Sequence, residues 1–200
     1  KIEGIEPSNL LYQRLRQKYP DRIFPGTFDE YLKKNRKSMF DFITASHIIE
    51  HTVDPLSFLS KAIKVLNPKG ILYIETPNLD SHLFNFERDK YTFLTPPEHI
   101  YILSLKAIRK YFYLITPNLS VQTSTYSYSE HFVSVVKSLL KKSVKQKASS
   151  QTTANGFRSS TLPIKQLKKL VFDSAIAPLL TPLMNLGGHG SILELYIKKN

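Results

Sequence analysis

The stretch FDFITASHIIEHTVDP at residues 40–55, continued by LSFLSKAIKVLNPKGILYIETPN at residues 56–78, carries the reading of the fold. FDFITA is an apolar run bounded by charge, the pattern of a strand buried on both faces of a parallel sheet. After it, Leu56, Leu59, Ala62, Ile63 and Leu66 recur at helical spacing and predict one apolar helix face. Asn67-Pro68-Lys69-Gly70 stops that helix, and ILYIET is the next strand. Strand, helix and strand in this order make a βαβ unit, and hence a parallel sheet covered by helices.

Working outward, Lys1 to Ile5 reads as a strand, and Ser8 or Asn9 caps a helix running to about Lys18. Arg22 to Phe24 is a short strand, and residues 27–35 pass from loop into a polar helix. Toward the other end, residues 79–98 have no clean period, Ser104 to Phe112 reads as a helix, and Val121 to Tyr128 alternates as a strand does. Residues 141–161 contain few apolar side chains and are expected to form a flexible basic segment. Leu162 to Leu186 is a helical, proline-interrupted stretch, and the turn Gly187-Gly188-His189-Gly190 leads into a final strand, SILELYIKK. The expected domain organisation is one domain over 1–200, with 113–186 as a variable cover.

The chain has 200 residues, of which 42% are hydrophobic, enough for one buried core. It has no cysteine, which excludes disulfides and thiolate-ligated metals. No apolar run reaches the roughly 20 residues of a membrane-spanning helix, and no signal-peptide core is present. The expected location is cytoplasmic, with peripheral membrane contact as a variant. Of the 28 basic and 16 acidic side chains, residues 101–200 hold 14 basic and 3 acidic ones, so nearly all of the +12 net charge lies in the second half. Such asymmetry suits an anionic partner: a phosphorylated substrate, lipid head groups or nucleic acid.

Four segments in order, GIEPS at 4–8, FDFITASHIIEHTVDP at 40–55, LNPKGILYIETPN at 66–78 and PPEHIYILSLKAIRKYF at 96–112, resemble the class I S-adenosylmethionine-dependent methyltransferases. Within that class they look most like the broad bacterial group that includes quinone-biosynthesis and polysaccharide-cluster enzymes. The resemblance implies a Rossmann-like α/β fold, mostly parallel, with helices on both faces and an antiparallel last strand. It implies S-adenosylmethionine as cofactor and methyl transfer to a hydroxyl or similar nucleophile of a small molecule, glycan or lipid-linked acceptor. A nucleic-acid methyltransferase, and a non-catalytic module on a decayed methyltransferase fold, are the alternatives. The first strand and glycine-rich turn of the family are not found, so residue 1 is expected not to be the biological start and the chain as given to bind cofactor poorly.

By the same resemblance, Glu6 matches the acid that holds the ribose hydroxyls, a task for which a carboxylate is suited because it only accepts. Pro7 would flank the adenine, Thr27 and Phe28 contact it, and Ala45, Ser46 and His47 lie along the methionine part. His51 and His99 are the candidate catalytic residues; imidazole titrates near neutrality and can deprotonate a hydroxyl. His47-Ile48-Ile49-Glu50-His51 matches the H-x-x-E-H zinc-peptidase pattern, but Asp54-Pro55 cuts the segment too short for that enzyme's helix. Some related methyltransferases bind a divalent cation at this place; the reading adopted assigns no metal and gives Glu50 and His51 a role in shaping the pocket wall.

Overall fold

The computed structural model describes residues 1–115, 119–133, 135 and 179–200, so the expectations for 141–161, and for all but the end of the 162–186 stretch, lie outside the described residues. Two compact units are present, Lys1–Phe40 and Asp41–Asn200.

In the first unit, β1 (Gly4–Glu6) and β2 (Ile23–Pro25) pair in parallel, with Glu6 opposite Pro25. Between them runs α1 (Asn9–Lys18), which starts where the Ser8 hydroxyl accepts the Leu11 N–H. The polar helix α2 (Phe28–Lys34) begins at a reciprocal cap: the Thr27 hydroxyl takes the Glu30 N–H and the Glu30 carboxylate takes the Thr27 N–H. Tyr31 is buried, edge-on to Phe24 at 5.3 Å.

The second unit contains a four-stranded sheet in the order β3-β4-β6-β5, with β3 at Phe40–Ser46, β4 at Leu66–Pro77, β5 at Leu119–Tyr126 and β6 at Ile192–Lys199. The last strand runs antiparallel to β4 and β5, as expected. Asp41 meets the Asn67 amide at one end of β3, and the His47 N–H reaches the Glu75 carbonyl at the other, so β3 and β4 run the same way. The register stacks Leu72 on Ile197, Ile74 on Leu195 and Thr76 on Leu193, all fully buried, so one sheet face is core. The opposite face pairs Tyr73 with Tyr196 and Glu75 with Glu194 and stays partly open. Each buried Leu or Ile contributes about 1.5 to 3 kcal/mol.

Two expectations about the strands are corrected. The parallel sheet, expected to take in the N-terminal strand together with residues 40–45 and 71–75, is divided: among the described residues the three-residue strands β1 and β2 pair with each other across the crossover α1, while β3 and β4 lie in the four-stranded sheet. FDFITA is also not buried on both faces: Ala45 is buried, but Phe42 is 59% exposed. β3 lies at the end of its sheet, with β4 its one hydrogen-bonded neighbour among the described residues.

The helix α3 (Pro55–Lys64) is capped by Asp54 and starts at proline. Its buried stripe is Pro55, Leu59 and Ala62, which turns the predicted Leu56 outward. Beyond β4, Ser81 caps the short α4 (His82–Glu87), a 3-10 turn follows at Arg88–Lys90, and α5 spans Leu105–Ile115. Asn78 pins the glycine turn before β6 to the end of β4: its side-chain amide donates to the carbonyls of Gly188 and Gly190, and its N–H to that of Ser191. A Cβ on Gly190 would come within 2.7 Å of the Tyr126 nitrogen, so only glycine allows this approach. Leu83, Tyr91, Val135 and Met184 form a second apolar cluster, joined to this turn by the Tyr91 hydroxyl on the Asn78 carbonyl. No described helix is long and apolar enough to cross a membrane.

Candidate functional site

At the carboxyl end of β3 the chain turns through His47, whose φ of 52° is left-handed, into a single 3-10 turn at Ile49–His51. His47 and His51 therefore do not sit one turn apart on a helix, which removes the geometry of the zinc-peptidase pattern. The turn buries Glu50 completely. Its two carboxylate oxygens face His47 Nδ1 at 3.0 Å and the Thr76 hydroxyl at 2.9 Å. Its carbonyl accepts the N–H groups of Ile100 and Tyr101, at 2.9 and 3.2 Å, which fixes the 98–101 segment against the turn.

That attachment brings His99 beside His51, with ring centroids 4.7 Å apart, edge to face. His51 Nδ1 lies 2.7 Å from the Glu98 carbonyl, and His99 Nδ1 is bonded to the Phe93 carbonyl. A carbonyl oxygen only accepts, so each Nδ1 carries hydrogen, and in the neutral form of either ring the lone pair is on Nε2. The Phe93 ring lies roughly parallel to the His99 ring, with centroids 6.5 Å apart. Glu50, His51 and His99 each offer a ligand atom, all within 4.8 Å of one another, so this cluster has the chemistry to hold a cation. Ile48 and Ile100, on the two segments that Glu50 joins, are 47% and 50% exposed.

Sequence reasoning missed the partners of His47. Its Nε2 is 3.3 Å from Glu75, which also accepts from the Ser46 hydroxyl at 3.1 Å. The Tyr73 hydroxyl reaches both Glu75 and Glu194, at 2.8 and 2.9 Å. Burial and these two carboxylates hold the Tyr73 phenol far above its usual range. The available signal was the alternation of β4, which sets Tyr73 and Glu75 on the face opposite Leu72, Ile74 and Thr76. The register with β6 that places Glu194 there lies beyond local sequence.

In the first unit, Glu6 ends β1; one of its carboxylate oxygens accepts the Ser8 N–H at 2.8 Å, and the other has no protein partner among the described residues. An acceptor-only group with an open oxygen after a strand fits a vicinal diol. Pro7 is exposed beside it, and Phe28 opens α2 half-buried. Thr27 commits its N–H and hydroxyl to the cap with Glu30. In the second unit, Ala45 is buried at the end of β3, and Ser46 and His47 follow it.

Known structures share this architecture. An S-adenosylmethionine-dependent methyltransferase from Archaeoglobus fulgidus is 16% identical with a TM-score of 0.51, over 98% of this chain and 75% of that one. The plantazolicin methyltransferase BamL, solved with a triazolic desmethylPZN analog and SAH, is 13% identical with a TM-score of 0.54, over 100% and 69%. A possible histamine N-methyltransferase from Thermotoga maritima is 13% identical with a TM-score of 0.53, over 100% and 73%. At these identities the likeness is one of fold. No curated protein matches the chain. A methyltransferase-domain family model matches residues 1–113, more than half the chain. The protein belongs to that family, as an enzyme of the class I S-adenosylmethionine-dependent methyltransferases.

Proposed function

We propose that the enzyme methylates a hydroxyl of a small molecule, glycan or lipid-linked acceptor, with preference for one that carries an apolar body beside its hydroxyl. The observation that carries this reading is the His51–His99 pair, whose Nδ1 atoms are both bonded to carbonyls, so that in the neutral rings Nε2 is the atom left to receive a proton. The half-exposed Ile48 and Ile100 support an apolar acceptor. S-adenosylmethionine supplies a methyl group already activated on a sulfonium, so the protein's work is to align the nucleophile, exclude water and hold its proton. In the first unit, Glu6 would take the ribose hydroxyls, with Pro7 and Phe28 at the adenine and Thr27 setting the start of α2. In the second, Ala45, Ser46 and His47 would line the methionine part.

A second reading is favoured by the spacing of Glu50, His51 and His99. A mixed imidazole and carboxylate set suits Zn²⁺, Mn²⁺ or Fe²⁺ better than Mg²⁺; Glu50, His51 and His99 would hold such an ion, which would supply Lewis-acid chemistry toward a hydroxyl.

The test is transfer of labelled methyl to a panel of phenols, long-chain alcohols, sugars and an RNA oligonucleotide. Label on an apolar hydroxyl compound, reduced about 10²- to 10⁴-fold in His51→Ala and His99→Ala, is expected. Label on the RNA, or variants as active as the parent, overturns the reading. Loss of transfer on chelation and its return with Zn²⁺ or Mn²⁺ selects the metal form; indifference to chelator selects the imidazoles acting as bases.

A further inference from the structure

We infer that His47 is a positioning residue, an imidazole clamped between Glu50 and Glu75 that holds Glu50 in place and, through Glu50, sets His99 against His51. The contacts form one continuous path. His47 Nδ1 meets Glu50 at 3.0 Å and Nε2 meets Glu75 at 3.3 Å. A carboxylate only accepts, so it is a ring N–H that holds Glu50. Glu75 is anchored in turn by Ser46 and Tyr73, and Tyr73 by Glu194, so the outer end of the clamp is fixed to three strands.

The inner end matters more. Glu50 is wholly buried, and among the described residues neither lysine nor arginine pairs with it. A buried carboxylate without a cation or donors is strongly unfavourable, and here the donors are the Thr76 hydroxyl and His47. The same residue's carbonyl carries the Ile100 and Tyr101 N–H groups that hold the His99 segment. A change at His47 is thus passed to His99 although the two rings do not touch. The left-handed backbone at His47 fits this role, because a β-carbon-bearing residue stays there only when surrounding bonds hold it.

The inference rests on His99 belonging to the acceptor side, but its test needs no methyl transfer and so fails independently of that reading. In His47→Asn the backbone requirement is met, since asparagine tolerates left-handed φ, while both ring contacts are lost. Amide exchange at Ile100 and Tyr101 is expected to accelerate about tenfold or more, as for removal of a charge-assisted hydrogen bond, while Ile74 and Leu195 in the sheet keep wild-type rates. Ring ¹⁵N spectra should show His99 passing from one tautomer to a mixture. If the folded variant keeps both signals as in wild type, His47 does not position His99. Should His47→Asn fail to fold, Glu75→Ala carries the test: it removes the acceptor beside Nε2, leaves Glu50 untouched and should move the same amides in the same direction, and unchanged amides there overturn the inference.

Discussion

Glu50 shows how much one residue contributes when its carboxylate and its carbonyl both have a task. Its carboxylate answers His47 and Thr76, and its carbonyl holds the segment that bears His99. Glu6 is the contrasting case, half-exposed at the end of β1 with a carboxylate oxygen unbonded among the described residues. If that oxygen and its neighbour hold the ribose diol, Glu6→Ala should weaken S-adenosylmethionine binding by about 1.5 to 3 kcal/mol, the scale of hydrogen bonds to a charged acceptor. Calorimetry on a cofactor-binding form giving the parent affinity would remove Glu6 from the site.

Among the elements, α2 is seven residues long and lies in the unit with the shorter strands, so its start signal carries weight. The Thr27–Glu30 box satisfies donors at the helix start, and Asp29 and Glu30 lie at the positive end of the helix dipole. Thr27→Ala should cost about 1 kcal/mol of stability, read as a lower urea midpoint at constant slope. A change in slope without a shift in midpoint would point to a different role for Thr27. The end of β4 works by the same logic on a larger scale, since Asn78 satisfies three groups of the incoming turn and so decides where β6 begins.

For the molecule as a whole, buried histidine links stability to pH. His131 lies almost buried with Nδ1 on the Ser191 hydroxyl, edge-on to Phe93 and Tyr128. Burial holds its imidazole below the ordinary value, with Glu130 and Glu87 partly opposing, and burial lowers His82 in the same direction, helped by His189. The unfolded chain therefore binds these protons more readily than the fold does. The stability from a neutral His131 is full above about pH 6.5 and is lost as pH falls through that value toward the lower folded one. Thermal midpoints should fall between pH 7.5 and 5.5, and His131→Gln should flatten the decline. Parallel curves for parent and variant would assign the acid sensitivity to other groups.

Local sequence was sufficient wherever a signal acts within a few residues. Ser8 was legible as a helix start because its side chain reaches an N–H group three residues on; Thr27 and Asp54 make the same contact, which the structure adds to the reading. The strand ILYIET and the strand after Gly190 were legible from their composition and bounding turns. The motif resemblance was enough to point to the methyltransferase family. What lay beyond local sequence is what depends on pairing between distant strands. The open face of β3, the separate β1–β2 pair and the meeting of Glu75 with Glu194 all follow from register and strand order. So does the site: His47, Glu50 and His51 are neighbours in the chain, but His99 joins them only because two amides at 100 and 101 find the Glu50 carbonyl. No spacing rule encodes that bond, since it forms only once the intervening residues have packed.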